Sequence, residues 1–190
     1  MKIIIAGAYA IGTYLAKLLS RNMQDIVLMD ENPENLEKIS SEYDLLTMEC
    51  SPTNIKGLKE AGVEHTDLFI AVTPSESANI ASCVMAHQLG AKKTVARVDN
   101  PEYVEEHNKE LFRQMGISDI IYPEILAAKD IINGLKMSWV RQRWDVHDGA
   151  LVMLGIKLRE TCEILDRPLK DICGPDDPYH VVAIKRNDET

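Results

Sequence analysis

Along the first two thirds of the chain, short apolar runs alternate with stretches in which apolar residues recur every three or four positions. Lys2 to Ala6 is an apolar, β-branched run and reads as a strand; Ile11, Leu15, Leu18 and Leu19 then follow helical spacing. The same alternation predicts strands at Asp25 to Met29, Asp44 to Met48, Asp67 to Val72, Lys93 to Val98 and Ile117 to Tyr122. Helices fall between them at Pro33 to Ser40, from about Pro52, at Ser75 to Leu89 and at Pro101 to Met115, and a longer helix starts at Pro123. Asp30 or Asn32 can cap the second helix and Thr73 or Ser75 the fourth, while Pro101 suits a first helical position. Strands that are apolar throughout, without alternation, belong to a parallel sheet covered on both faces. Parallel neighbours need right-handed helical crossovers, and these spacings supply them. The pattern predicts an α/β fold, a doubly wound parallel-sheet Rossmann-type domain over residues 1–138.

The pattern changes after about Trp139. Val140 to Asp148 is charged and carries Trp144, Ala150 to Leu158 is strand-like, and Val181 to Lys185 reads as another strand. Arg159 to Cys173 between them reads as a short helix and loop, and the Gly174–Pro178 stretch as a turn. Residues 139–190 are too few for a good independent core. They predict a small C-terminal α+β subdomain, needing a partner or belonging to a longer chain, and Asn187 to Thr190 is compatible with a cut end.

Charge narrows the partners. The chain has 190 residues, 21 Lys and Arg against 30 Asp and Glu, and a formal charge of −9. Such a surface repels phosphate backbones and anionic lipid, so nucleic acid is not an expected partner. A single nucleotide at a local site stays compatible with it. No apolar run approaches the roughly 18 residues of a membrane span, so direct membrane insertion is not expected. The N-terminus enters a strand at once and carries no signal-peptide pattern. Cys50, Cys83, Cys162 and Cys173 are widely spaced without CxxC, and read as thiols in a reducing cytosol, not a disulfide frame or zinc site.

The candidate chemistry sits where the first strand ends. Gly7-Ala8-Tyr9-Ala10-Ile11-Gly12 opens the first helix. In a G-x-G-x-x-G turn the first glycine makes the bend, the second admits a pyrophosphate and the third lets helix and strand pack closely. Gly7 and Gly12 are in register, and Tyr9 replaces the middle glycine. Its side chain either crowds the phosphates or swings aside; in both cases the helix start offers unpaired N–H groups to an anion. A plain strand–helix turn would look the same. Asp30, at the end of the second strand, stands near the roughly 20-residue spacing of a ribose-binding carboxylate, where it would accept both ribose hydroxyls and repel a 2′-phosphate. A helix-capping aspartate is the alternative.

Other strand ends add Ser51 and Thr53 after the third strand, Thr73 after the fourth and Arg97 after the fifth. Each has a structural alternative: Ser51 and Thr73 as caps, Arg97 as a bridge to a surface carboxylate, and Asn79 as a solvated residue. Their shared edge of the sheet is what joins them to a nucleotide site. His65, His87, His107, His147 and His180 fall in no catalytic setting, and no P-loop, H-E-x-x-H or nucleophile elbow occurs. The chain is therefore expected not to be an enzyme.

These residues resemble a family. Met1-Lys2-Ile3-Ile4-Ile5-Ala6-Gly7, Asp25 to Asp30, Leu58 to Val63, Asp67 to Thr73 with Asn79, Leu89 to Val98, Tyr122-Pro123-Glu124 with Ala127-Ala128, and Val181 to Arg186 are similar, in order and spacing, to the RCK or KTN domains. These occur in the TrkA-type regulatory subunits of bacterial Trk potassium uptake systems, and the likeness is to their N-terminal half. Tyr9, and Glu49-Cys50-Ser51 in place of the usual Gly-Asp, depart from the pattern. The resemblance implies NAD or NADH, or ATP or ADP, bound at Gly7, Ala8, Tyr9, Ala10, Ile11, Gly12, Asp30, Ser51, Thr53, Thr73 and Arg97. It implies a helix over about 123–137 that pairs two copies, a dimer or higher ring as the assembly, and a membrane-embedded potassium transport subunit as the partner. The expected place is cytoplasmic, on the inner face of the membrane through that subunit. Ile125, Leu126, Ile131, Ile132 and Leu135 supply an apolar stripe for the pairing, or for packing on the chain's own sheet. Two other readings stay open: a fragment of an NAD-dependent oxidoreductase, and an oligomerisation module whose nucleotide site is lost through Tyr9.

Overall fold

The computed structural model of the chain describes residues 1–21, 24–40, 43, 45–136, 140–147 and 150–186. It divides into two units, Met1–Lys129 and Asp130–Thr190. The expected boundary residues Ser138 and Trp139, and the expected end of the pairing helix at Met137, lie outside the described residues. The division falls inside a helix, not after it.

The first unit is built on six parallel strands: β1 (Lys2–Ala6), β2 (Asp25–Asp30), β3 (Leu46–Glu49), β4 (Leu68–Ala71), β5 (Thr94–Arg97) and β6 (Asp119–Ile121). Their order is β3-β2-β1-β4-β5-β6. This is the dinucleotide-fold order, in which the winding reverses between the first and fourth strands. Helices α1 (Ala10–Ser20), α2 (Pro33–Ser40), α3 (Ile55–Glu60), α4 (Glu76–Gln88), α5 (Glu106–Gln114) and α6 (Pro123–Lys136) complete the described α-helices.

Strand periodicity explains the two-faced core. Ile3, Ile5, Ile26, Leu28 and Ile70 point to one side and pack with Ala16 of α1 and Leu36 and Ile39 of α2. Ile4, Val27, Met29 and Phe69 point to the other and pack with Leu58 of α3, Cys83 and Ala86 of α4 and Phe112 of α5. Residues Ile3 to Ala6 are fully buried, as a central strand between two helical layers requires. Burial pushes the Cys83 thiol up to about 12, so it serves as a small apolar filler and not as a nucleophile.

Some expected elements differ. Pro101 to Met115 is not one helix: a 3₁₀ turn, Pro101–Val104, is capped by Asn100, and Glu105 is extended before α5 begins. The Asn108 amide donates to Glu102 O at 2.9 Å, and the Tyr103 and Phe112 rings meet at 5.1 Å; together they hold the bend. The third expected strand begins at Leu46, and Asp44 lies outside the described residues.

In the second unit β7 (Val140–Val146) and β8 (Leu151–Ile156) form an antiparallel hairpin. The 159–173 stretch makes turns and one 3₁₀ helix, Leu169–Asp171, and no α-helix. Residues 181–185 form no strand: apolar β-branched side chains favour a ladder only where a neighbouring edge pairs with them. No described residue from Asp130 onward is fully buried. No helix among the described residues is long and apolar enough to cross a membrane.

Candidate functional site

At the carboxyl ends of β1, β2, β3 and β4 lies a cleft of about 530 Å³, within the range of small-ligand sites, roughly 300–1,000 Å³. Tyr9, the Asp30–Pro33 turn, Pro52, the Thr73–Ser75 turn and Ala78 line it. Its position follows from topology: where the winding reverses, adjacent crossovers leave on opposite faces and open a crevice.

The glycine turn is shaped by close approach. Gly7 has φ +108°, and a Cβ there would meet Thr73 N at 2.8 Å. A Cβ on Gly12 would fall on Gly7 O, so α1 touches the β1 turn through bare backbone. Tyr9 needs no such freedom. Its backbone is extended, with φ −82°, and its ring is half exposed on the cleft wall.

The first bond of α1 runs from Thr13 N to Tyr9 O at 2.8 Å. Ala10, Ile11 and Gly12 N–H therefore have no acceptor within the helix. This is a positive helix end, suited to an anion, although of the expected turn residues only Tyr9 stands on the cleft wall, and Gly7, Ala8, Ala10, Ile11 and Gly12 do not.

Asp30 is 4% exposed. One carboxylate oxygen accepts Ala8 N–H at 2.7 Å; the other accepts Asn32 N–H at 2.8 Å and the Asn35 amide at 3.4 Å. A carboxylate offers about four acceptor positions. Three are used, leaving one for a ribose hydroxyl where the sequence suggested two. Glu31, beside it on the cleft wall, can take the second. Asp30 thus has a structural duty that its position in the sequence did not show: it ties the β2 end to the glycine turn.

The other expected site residues divide. Thr73 lines the cleft. Ser51 and Thr53 share a hydroxyl contact at 3.1 Å, and of that turn only Pro52 is on the cleft wall. Neither Ser51 nor Thr73 caps a helix; Asn54 caps α3 and Ser75 caps α4. Arg97 faces its own chain, bonded to Asp99 at 2.7 Å and near Glu124 at 3.6 Å, with a weak donation to Thr73 O at 3.4 Å. Its buried Nε–H finds no acceptor among the described residues.

Asn79 is the residue that sequence reasoning misplaced. It is 1% exposed. Its oxygen accepts Thr73 N–H at 2.9 Å and the Thr73 hydroxyl at 2.7 Å, and its amide donates to Thr73 O at 2.9 Å and Arg97 O at 3.0 Å. It stitches the end of β5 to the cleft wall. Replacing it with alanine strands the Thr73 N–H and the Arg97 carbonyl and leaves Thr73 O only the weak Arg97 donation. At about 1–3 kcal/mol for each buried unsatisfied group, Asn79→Ala is expected to cost about 3 kcal/mol in urea unfolding. A loss below about 1 kcal/mol would contradict this role.

Comparison with known proteins shows the family and the fold. A family model described as the TrkA-N domain matches residues 3–123. The Trk system potassium uptake protein TrkA homolog of Pyrococcus abyssi is 32% identical over 187 residues, 97% of this chain and 81% of that protein. The corresponding homolog of Archaeoglobus fulgidus is 29% identical over 98% of this chain but only 42% of its own length. The chain thus spans under half of some curated relatives and most of others. Among solved structures, the TrkA-N domain of inner membrane protein ybaL from Escherichia coli superposes with a TM-score of 0.62 at 13% identity, covering 70% of this chain and 96% of that one. The GsuK channel bound to NAD gives 0.51 at 23% identity, covering 63% of this chain and 21% of that one. GsuK bound to ADP gives 0.54 at 21%, covering 64% and 31%.

Proposed function

The chain belongs to the TrkA-N domain family, and from that premise we propose that it is a nucleotide-binding regulatory subunit of a potassium uptake system. Its ligand is an adenine nucleotide, held in the cleft between β1, β2 and β4. The observation that carries this reading is a cleft wall that joins Tyr9, the residue before α1, to the buried Asp30 carboxylate, beside a helix start whose first N–H groups have no acceptor within the helix. The helix start suits phosphate and the carboxylate suits ribose. The cleft wall presents carboxylates, an amide, hydroxyls and prolines, a set that binds and orients an adenosine.

Regulation follows if two arrangements of the assembly hold the nucleotide with different affinity, because a ligand shifts only an equilibrium whose states it distinguishes. The assembly is a dimer or larger ring of this chain. On α6, Ile131, Ile132 and Leu135 are exposed and lie within one helical arc with Ile125 and Ala128. That arc is an apolar face for a second copy. The partner is the membrane-embedded potassium transport subunit, met at the cytoplasmic face.

A thermal-shift series with NAD, NADH, NADP, ATP and ADP tests the reading. A ligand at a hundredfold excess over its dissociation constant stabilises the native state by about 2.7 kcal/mol. The expected result is a clear rise in Tm with adenine nucleotides that carry free ribose hydroxyls. NADP should give little, because Asp30 and Glu31 oppose a 2′-phosphate. No rise with any of the five would overturn the proposal.

A further inference from the structure

Resting on that reading, we infer that the site is built for a mononucleotide, and that a dinucleotide binds only through its adenosine half. Two independent features point there.

The first is the closure of the second half-site. A dinucleotide fold has two mononucleotide-binding halves, one over β1–β3 and one over β4–β6. Here, among the described residues, the cleft wall draws only on the ends of β1 to β4. The end of β5 is covered by the chain itself. Glu76, the first residue of α4, accepts Asp99 N–H at 2.6 Å and Asn100 N–H at 2.7 Å. This folds the loop after β5 onto the start of α4. Arg97 lies against Asp99 and Glu124 over the same ground.

The second feature is Tyr9. The middle glycine of a dinucleotide turn lets the backbone approach a bridging pyrophosphate that continues past it. Tyr9 puts a Cβ and a half-exposed ring at that position. A terminal phosphate can meet the Ala10, Ile11 and Gly12 N–H groups end-on. A phosphate chain that runs onward to a second ribose must pass Tyr9 and then the Glu76-held loop.

Calorimetric titration of the full chain with AMP, ADP, NAD and NADH tests this. ADP or AMP is expected to bind at least about tenfold more tightly than either dinucleotide. Tyr9→Gly, alone and combined with Glu76→Ala, is expected to narrow that ratio at least about threefold, mainly by improving the dinucleotide. A dinucleotide that binds the wild type as tightly as ADP overturns the inference and leaves the nucleotide site standing. So does a ratio unmoved in both variants. Absence of binding by all four ligands overturns the site itself, and the inference with it.

Discussion

Gly12→Ala is expected to cost about 3 kcal/mol of stability, the upper end of overpacking penalties, and to remove nucleotide binding. The added methyl would fall on Gly7 O, with Gly7 C at 3.0 Å and Val72 Cγ2 at 3.3 Å. A flexible side chain could turn away from such a contact; a backbone carbonyl cannot. Relief therefore requires α1 to move off the β1 turn. The movement opens the packing of Ala16 against the Ile3 and Ile5 face and carries the Ala10–Gly12 N–H groups out of aim. Against a typical domain stability of about 5–15 kcal/mol, the variant still folds for measurement. Urea unfolding reads the stability, and ligand-induced shift in Tm reads the site. A loss below about 1 kcal/mol would mean that the helix does not touch the turn through Gly12.

Asp30→Ala carries the second large effect, and its two consequences are coupled. Ala8 N–H and Asn32 N–H both lose their acceptor. Ala8 is buried and Asn32 is exposed, so at about 1–3 kcal/mol for the one stranded buried donor the expected cost is about 1–3 kcal/mol. The affinity for an adenine nucleotide should fall at least about tenfold, one charged hydrogen bond being worth roughly 1.5–3 kcal/mol. Asp30→Asn sharpens the test. An amide keeps one acceptor oxygen but turns an NH2 toward the other backbone donor, so it should lose about half of the stability and most of the affinity. The sequence offers a ribose carboxylate or a helix cap for Asp30, and neither requires a bond to the glycine turn. The bond to Ala8 spans from the end of β2 to the glycine turn and shows only in three dimensions. A variant of full stability with weakened binding would contradict the clamp. A destabilised variant with full affinity would contradict the ribose role.

The parts legible in the sequence are those set by local spacing. Continuous apolar strands declare burial on two faces, and the observed core uses Ile3 and Ile5 on one side and Ile4 and Ala6 on the other. Gly7 and Gly12 declare a close approach because no other residue fits there. The parts that stayed hidden depend on what the fold brings near. The sequence offers Arg97 as a phosphate ligand or as a bridge to a carboxylate, and only the fold brings Asp99 and Glu124 beside it. Asn79 looks solvated on its helix until Arg97 O and the Thr73 backbone close around it. Glu76 looks like an ordinary acidic first-turn residue, and instead holds two backbone N–H groups of another loop. In the second unit, Val181 to Lys185 has strand-like residues, but no strand forms there. Residue type alone does not supply the edge that a strand needs.

The central claim is that an adenine nucleotide sits on the glycine turn, with its phosphate on the start of α1 and its ribose at Asp30. Backbone amide resonances followed by NMR during titration with ADP test it most directly. Saturable shifts concentrated at Ala10, Ile11, Gly12, Glu31 and Asn32, all fitting one dissociation constant, are the predicted result. Saturable shifts confined to residues away from the cleft, or no shifts at all at millimolar ADP, would contradict it.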